Sequence, residues 1–102
     1  MNIVEMTCAK IVNEKKLPWF SVRHAKTFAT MCKYCNVRLS DLALLTQISP
    51  LELKRVLNEL ERNKLVRYCG EIYRLEDREE ALQHLVWLAQ SGEKAVLVSK
   101  NA

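Results

Sequence analysis

Hydrophobic residues recur along most of the chain at spacings of three and four, which predicts a largely helical protein. In residues 2–16, Val4, Cys8, Ile11 and Val12 predict a short amphipathic helix ending at Lys15 and Lys16. The stretch Leu17, Pro18, Trp19, Phe20 breaks it as an apolar corner, with Trp19 read as part of the core. Ser21 is placed to cap a helix running to about Cys35. Its buried face is read as Val22, Ala25, Phe28, Ala29, Cys32 and Cys35, with Asn36 as its end.

From Val37 onward the signals become dense. Val37 to Leu39 is short and β-prone, and Ser40 can cap a brief helix over the sequence SDLALLTQ. In ISPLE, Ser49 stands as N-cap, Pro50 as first helical residue and Glu52 as third, the pattern of a capping box. Leu53, Val56, Leu57 and Leu60 mark the inner face of that helix, and Asn63 is suited to the left-handed position that stops it. Leu65 to Tyr68 then face Ile72 to Leu75 across Cys69, Gly70 and Glu71, which predicts a β-hairpin. Asp77 can cap a last helix over residues 78–90, with Gly92 past its stop and Ala95 to Val98 as a short strand-like run or an extra turn. The apolar set of this helix, Ala81, Leu82, Leu85, Val86, Trp87, Leu88 and Ala89, is too wide for one packing face.

Composition agrees with the helical reading. The 102 residues include only two Gly and two Pro, against a turn-rich sandwich or barrel, and the length suits one domain. Residues 1–36 form its N-terminal helices, 37–75 its central unit and 76–102 its C-terminal helix and tail, where dimerisation is expected. No apolar run reaches membrane-spanning length, and Glu5 interrupts the first apolar stretch, so a cytoplasmic location is expected. The formal net charge of +4 is unevenly spread: residues 1–75 carry a net +6 and the tail is acidic. Such a balance suits a nucleic-acid partner, because clustered cations displace the counterions condensed on phosphates.

Residues 37–75, VRLSDLALLTQISPLELKRVLNELERNKLVRYCGEIYRL, resemble the winged helix-turn-helix family of DNA-binding domains. The shared pattern is a short strand, a small helix, a turn, a capped second helix with an LxxVLxxL face, and a hairpin ending in Tyr-x-Leu. The resemblance implies a mainly α fold with a small β-hairpin, extra helices at each end, and residues 49–63 as the recognition helix. Its groove-facing positions match Pro50, Leu51, Lys54, Arg55 and Asn58, where Lys54 and Arg55 can reach phosphates or guanine and Asn58 can read adenine. Arg38 and Ser49 complete this set, and the short wing directs Arg67 and Arg74 to backbone phosphates. The function so implied is double-stranded DNA binding by a dimeric transcription regulator or a nucleoid-associated factor. Its two-fold contact is expected at Val86, Trp87 and Leu88, the apolar residues the last helix does not need for docking on its own domain. A protein-interaction module on the same fold, without DNA binding, is the alternative.

A thiol or metal sensor is a third reading. CxxC at Cys32 and Cys35 can share a metal, but the remaining thiols, Cys8 and Cys69, are isolated rather than paired as in a zinc ribbon. The last turns of a helix also raise a thiol pKa, against a redox role. The arsenic-repressor branch of the winged-helix family carries its metal thiols at positions matching Arg38 and Ser40 here. The cysteines are therefore read as small core residues, with a disulfide as the alternative and no metal or cofactor expected. His24 and His84 are read as surface or boundary residues without a Ser, Asp or Glu constellation, and no glycine-rich phosphate loop exists. No enzyme activity and no small-molecule substrate are expected.

Overall fold

The computed structural model describes the backbone of residues 2–101 and the side chains of residues 2–91. It is mainly α, with helices α1 (Ile3–Asn13), α2 (Val22–Tyr34), α3 (Leu39–Thr46), α4 (Pro50–Arg62) and α5 (Arg78–Asn101). Strands β1 (Asn36–Arg38), β2 (Arg67–Cys69) and β3 (Ile72–Arg74) form one antiparallel sheet in the order β1-β3-β2. Among the described residues no helix is long and apolar enough to cross a membrane.

α1 begins where the Asn2 side chain accepts the Glu5 N–H at 2.9 Å, and it buries Val4, Cys8 and Ile11. It ends at Asn13 rather than at the lysine pair, because Lys15 turns left-handed (φ 52°) and Lys16 N–H returns to the Ile11 carbonyl at 3.1 Å. α2 starts after Ser21 as expected, and of its expected face Phe28 and Cys32 are buried and Ala25 and Ala29 pack against the core, but the face is rotated. Val22 is 69% exposed, whereas His24, Thr27, Phe28, Met31 and Cys32 are buried. Hydrogen bonds make the polar members tolerable inside: the Thr27 hydroxyl donates to the Arg23 carbonyl at 2.8 Å, and both nitrogens of His24 are engaged. Cys35 is not on that face. It is the C-cap, at φ 67°, and Asn36 already belongs to β1.

The sheet gains a member that sequence periodicity leaves unpaired. Asn36, Val37 and Arg38 lie opposite Arg74, Tyr73 and Ile72, so β1 closes on the hairpin strand that follows it by more than thirty residues in the chain. The hairpin is tighter than expected: Cys69 pairs with Ile72, leaving Gly70 and Glu71 as a two-residue turn with Gly70 at φ 69°. Val37 and Tyr73 share a row that faces the core, while Arg38, Arg67 and Arg74 belong to the rows on the opposite face. α3 starts one residue before Ser40, with Arg38 as its N-cap, because β1 delivers the chain already extended (Arg38 φ −76°, ψ 153°). Gln47, left-handed at φ 59°, ends α3 and turns the chain toward α4.

α4 begins at Pro50 behind Ser49, as the sequence predicts, and buries Leu53, Val56, Leu57 and Leu60. The Ser49 hydroxyl accepts the Glu52 N–H at 3.4 Å, but the Glu52 carboxylate turns outward to Arg23, so the box is half formed. The left-handed residue after α4 is Lys64 (φ 62°) and not Asn63, whose side-chain amide donates to the Glu59 carbonyl at 2.8 Å. Asp77 caps α5 by accepting the N–H groups of Glu79 and Glu80 at 2.9 and 3.1 Å. The helix does not stop at Gly92. Its backbone continues to Asn101 through residues 95–98, whose side chains lie outside the described set, so these form no strand. One glycine costs a helix only about 1 kcal/mol relative to alanine, which flanking Glu, Lys, Ala and Leu offset.

The core is continuous. Phe28, Met31, Leu42, Leu53, Leu57, Leu60, Leu75 and Leu85 are fully buried, and Trp19 packs half-buried on its edge.

Candidate nucleic-acid interface

α4 is amphipathic because its leucines and valine recur every three or four residues, and burying that stripe turns the intervening positions outward. Leu51, Lys54, Arg55 and Asn58, all singled out from sequence, are exposed on it, Leu51 by 70%. Ser49 sits exposed at its N-cap. Arg62 continues the same outward stripe one turn beyond Asn58; sequence reasoning omitted it, although the 51, 54, 55, 58, 62 spacing follows the helical period. Lys54, Arg55, Asn58 and Arg62 make no side-chain hydrogen bond or ion pair with any described residue.

The three carboxylates of α4 are directed elsewhere. Glu52 takes the Arg23 Nε of α2 at 3.3 Å, Glu59 lies 3.0 Å from the His24 Nε2 of α2, and Glu61 accepts the Tyr68 N–H of β2 at 2.9 Å. They dock the flanks of α4 on α2 and on the hairpin. The outer stripe is left with Lys54, Arg55 and Arg62 and without an acid, which is an arrangement suited to an anionic partner.

The other candidate residues are divided by the fold. Arg38 is exposed on β1, one edge of the sheet, and Arg67 on β2, the other edge, with β3 between them. Arg67 faces Arg74 directly in the β2–β3 register and pairs with Glu76 at 2.9 Å. Both arginines open into a groove of about 610 Å³ between the hairpin, the end of α4 and the start of α5. Glu61, Glu76, Asp77 and Glu80 line the same groove together with Lys64 and His84, so these guanidiniums share it with four carboxylates. Tyr73 stacks obliquely on Tyr68, ring centroids 4.9 Å apart, and burial, then Tyr68 and Glu61, push its phenol up.

His24, read from sequence as an isolated surface or boundary residue, is buried and carries a polar chain. The Ser21 N–H donates to its Nδ1 at 3.2 Å, the Ser21 hydroxyl lies 2.8 Å from the same nitrogen, and Nε2 meets Glu59. Ser21 and Glu59 are 3 and 35 residues away, and nothing in a linear pattern joins the latter to a histidine on another helix. His84 is also engaged, with Nε2 2.9 Å from the Asn63 carbonyl and its ring stacked on Trp87 at 5.8 Å.

Four cysteines are free: Cys8 and Cys32 buried, Cys35 half-buried, Cys69 exposed. Burial, reinforced by each other's proximity for Cys8, pushes the thiols of Cys8 and Cys32 up to about 12, so they stay protonated near neutrality. Among the described residues no three His, Cys, Asp or Glu side chains gather as metal ligands.

The residues expected at a dimer contact separate into two kinds. Leu88 packs on its own core, whereas Val86 is half-buried and Trp87 is 58% exposed, so Leu88 already has a use in the monomer. Val86 and Trp87 line a shallow groove with Leu82, Gln83 and Gln90 of α5 and Thr7 of α1. Two further exposed leucines, Leu44 (79%) and Leu45 (45%) of α3, were not singled out from the sequence. Compared with known protein families, curated proteins and solved structures, the chain finds no match, so its functional reading rests on its own residues.

Proposed function

We propose that this protein is a winged-helix double-stranded-DNA-binding protein that acts as a homodimeric transcription regulator or nucleoid-associated factor. The observation that carries the reading is the outward stripe of α4: Lys54, Arg55, Asn58 and Arg62 have no described partner, while every carboxylate of that helix is engaged on its flanks. The chain order β1, α3, α4, β2, β3 and the sheet order β1-β3-β2 support it, because they are the order and pairing of a helix-turn-helix followed by a wing. In this reading α4 enters the major groove, Lys54 and Arg55 reach phosphates or guanine, Asn58 reads adenine, and Leu51 offers an apolar contact to a thymine methyl. Arg38, Arg67 and Arg74 contribute less, Arg67 and Arg74 being set among carboxylates.

Fluorescence anisotropy on random duplex DNA at increasing salt tests this. If each protomer neutralises about four phosphates, the dimer shows a slope of log affinity against log salt of roughly −7. Lys54→Ala with Arg55→Ala weakens binding and leaves the fold intact, since both side chains are exposed. Unchanged affinity in that double variant removes the recognition-helix assignment.

A second reading, a protein-interaction module on the same fold, is favoured by Leu44 and Leu51, exposed by 79% and 70% on the two helices of the helix-turn-helix. No duplex binding even at low salt selects that reading.

A further inference from the structure

His24 is a titratable side chain, 6% exposed, wedged between the first turn of α2 and the flank of α4, and the DNA contact just proposed does not use it. Consecutive residues of α2 grip α4 at two points: Arg23 holds Glu52 and His24 holds Glu59, carboxylates seven residues or two helical turns apart. Both contacts lie on one flank of α4, beside the outward stripe of Lys54, Arg55 and Asn58 that the buried leucines and valine turn to the surface.

The ring's hydrogen bonds define its protonation. Because Nδ1 accepts the Ser21 N–H, the neutral ring carries its proton on Nε2 and donates it to Glu59. The Glu59 carboxylate then receives only a neutral donor. A second proton, taken up at Nδ1, finds its acceptor already in place, for the Ser21 hydroxyl oxygen is 2.8 Å away. The Ser21 N–H gives up the nitrogen, the ring becomes a double donor, and the His24–Glu59 contact becomes an ion pair without moving the ring. The groups facing His24 are Ser21 and the neighbouring Arg23, itself held by Glu52, on α2; Glu59 on α4; and the rings of Trp19 and Phe20 in the preceding turn, 5.5 and 6.0 Å away.

We propose that the Ser21–His24–Glu59 chain positions α4 and couples duplex binding to uptake of one proton at His24, so that DNA affinity rises as pH falls. The inference rests on the DNA-binding reading of α4. Phosphates brought against α4 favour an added positive charge on its flank, so the bound state holds the proton more firmly than the free one. By linkage, the form that binds more protons is favoured at lower pH.

The test is duplex affinity by fluorescence anisotropy at fixed ionic strength, with the thermal midpoint of each variant measured alongside. From about pH 8 to about pH 6 the wild-type chain gains roughly threefold or more in affinity. Glu59→Gln, which keeps the acceptor and removes the charge, binds more tightly than wild type at the upper end and gains less affinity on acidification. His24→Gln is also flat, and His84→Gln keeps the wild-type profile. A residue that merely props the fold changes the thermal midpoint and leaves the pH profile of the folded protein alone. A flat wild-type profile with firm binding, or a wild-type profile retained in Glu59→Gln or His24→Gln, overturns the proton coupling while leaving the DNA reading intact. Absence of binding at every pH and at low salt overturns both.

Discussion

Arg67 and Arg74 stand directly opposite each other on β2 and β3, a cross-strand pair of like charges in which Arg67 alone has a described carboxylate partner, Glu76 at 2.9 Å. Like charges in this position destabilise a hairpin by a few tenths to about 1 kcal/mol. Arg74→Thr removes the repulsion and adds a β-branched residue. A gain of about 0.5 kcal/mol raises the thermal midpoint of a chain this size by roughly 2–4 °C, which calorimetry resolves. DNA affinity falls less in this variant than in the Lys54 and Arg55 double variant, because Arg74 shares its groove with Glu61, Glu76, Asp77 and Glu80. A lower midpoint shows that the pair is not repulsive in solution.

Arg62 extends the outward stripe of α4, exposed and without a described partner. If it neutralises one phosphate, Arg62→Ala makes the salt slope shallower by about 0.9 per protomer and weakens binding to all duplex sequences alike. An unaltered slope places Arg62 outside the footprint.

Cys8 and Cys32 are held protonated in the folded chain up to about 12, from a reference value of 9.0. A group whose folded pKa is raised contributes its full stabilisation below the unfolded pKa. That contribution is lost as pH rises through the window from about 9 to about 12. Each thiol therefore steepens alkaline destabilisation in this window by about 1.4 kcal/mol per pH unit. Replacing both by Ala lowers stability at neutral pH through lost packing, yet flattens the alkaline limb of a denaturant-midpoint profile. In the native wild-type chain an alkylating reagent modifies Cys69 rapidly and reaches Cys8 and Cys32 only on unfolding.

Signals that act over three or four residues were legible in the sequence. Ser49 and Pro50 start α4, Asp77 starts α5, and the stripe of Leu53, Val56, Leu57 and Leu60 points inward, because each depends on neighbours along the helix. Readings that ranked residues by polarity alone went astray. Val22 faces solvent and His24 lies inside because partners from elsewhere in the chain satisfy the imidazole, and Thr27 is buried because its hydroxyl bonds within its own helix. Pairings across long separations were not legible at all: β1 finds β3, and Glu59 finds His24, only once the chain has folded. The cationic stripe of α4 was nearly complete from the family resemblance, missing Arg62, whereas the groove that Arg67 and Arg74 share with Glu76, Asp77 and Glu80 forms only where α5 packs.

Trp87 carries the prediction of a homodimer. It is 58% exposed, and its only described ring contact is one stacked face on His84, at 5.8 Å with the planes 12° apart. The groove beside it joins α5 to α1 through Thr7, and α1 adds the exposed side chains of Ile3 (65%) and Met6 (54%). Exposing tryptophan and its apolar neighbours to water costs free energy, and such residues commonly anchor protein contacts. Leu88, expected on the same surface, is half-buried and packs partly against its own core. A two-fold contact here places two copies of α4 on one assembly, which doubles the phosphate contacts and selects a palindromic site. Light scattering at micromolar concentration then gives roughly twice the 11.9 kDa chain mass. Trp87→Glu yields a folded monomer with much weaker DNA affinity, since a carboxylate on the seam is buried against its symmetry mate. A wild-type mass near 11.9 kDa under the same conditions rules the dimer out.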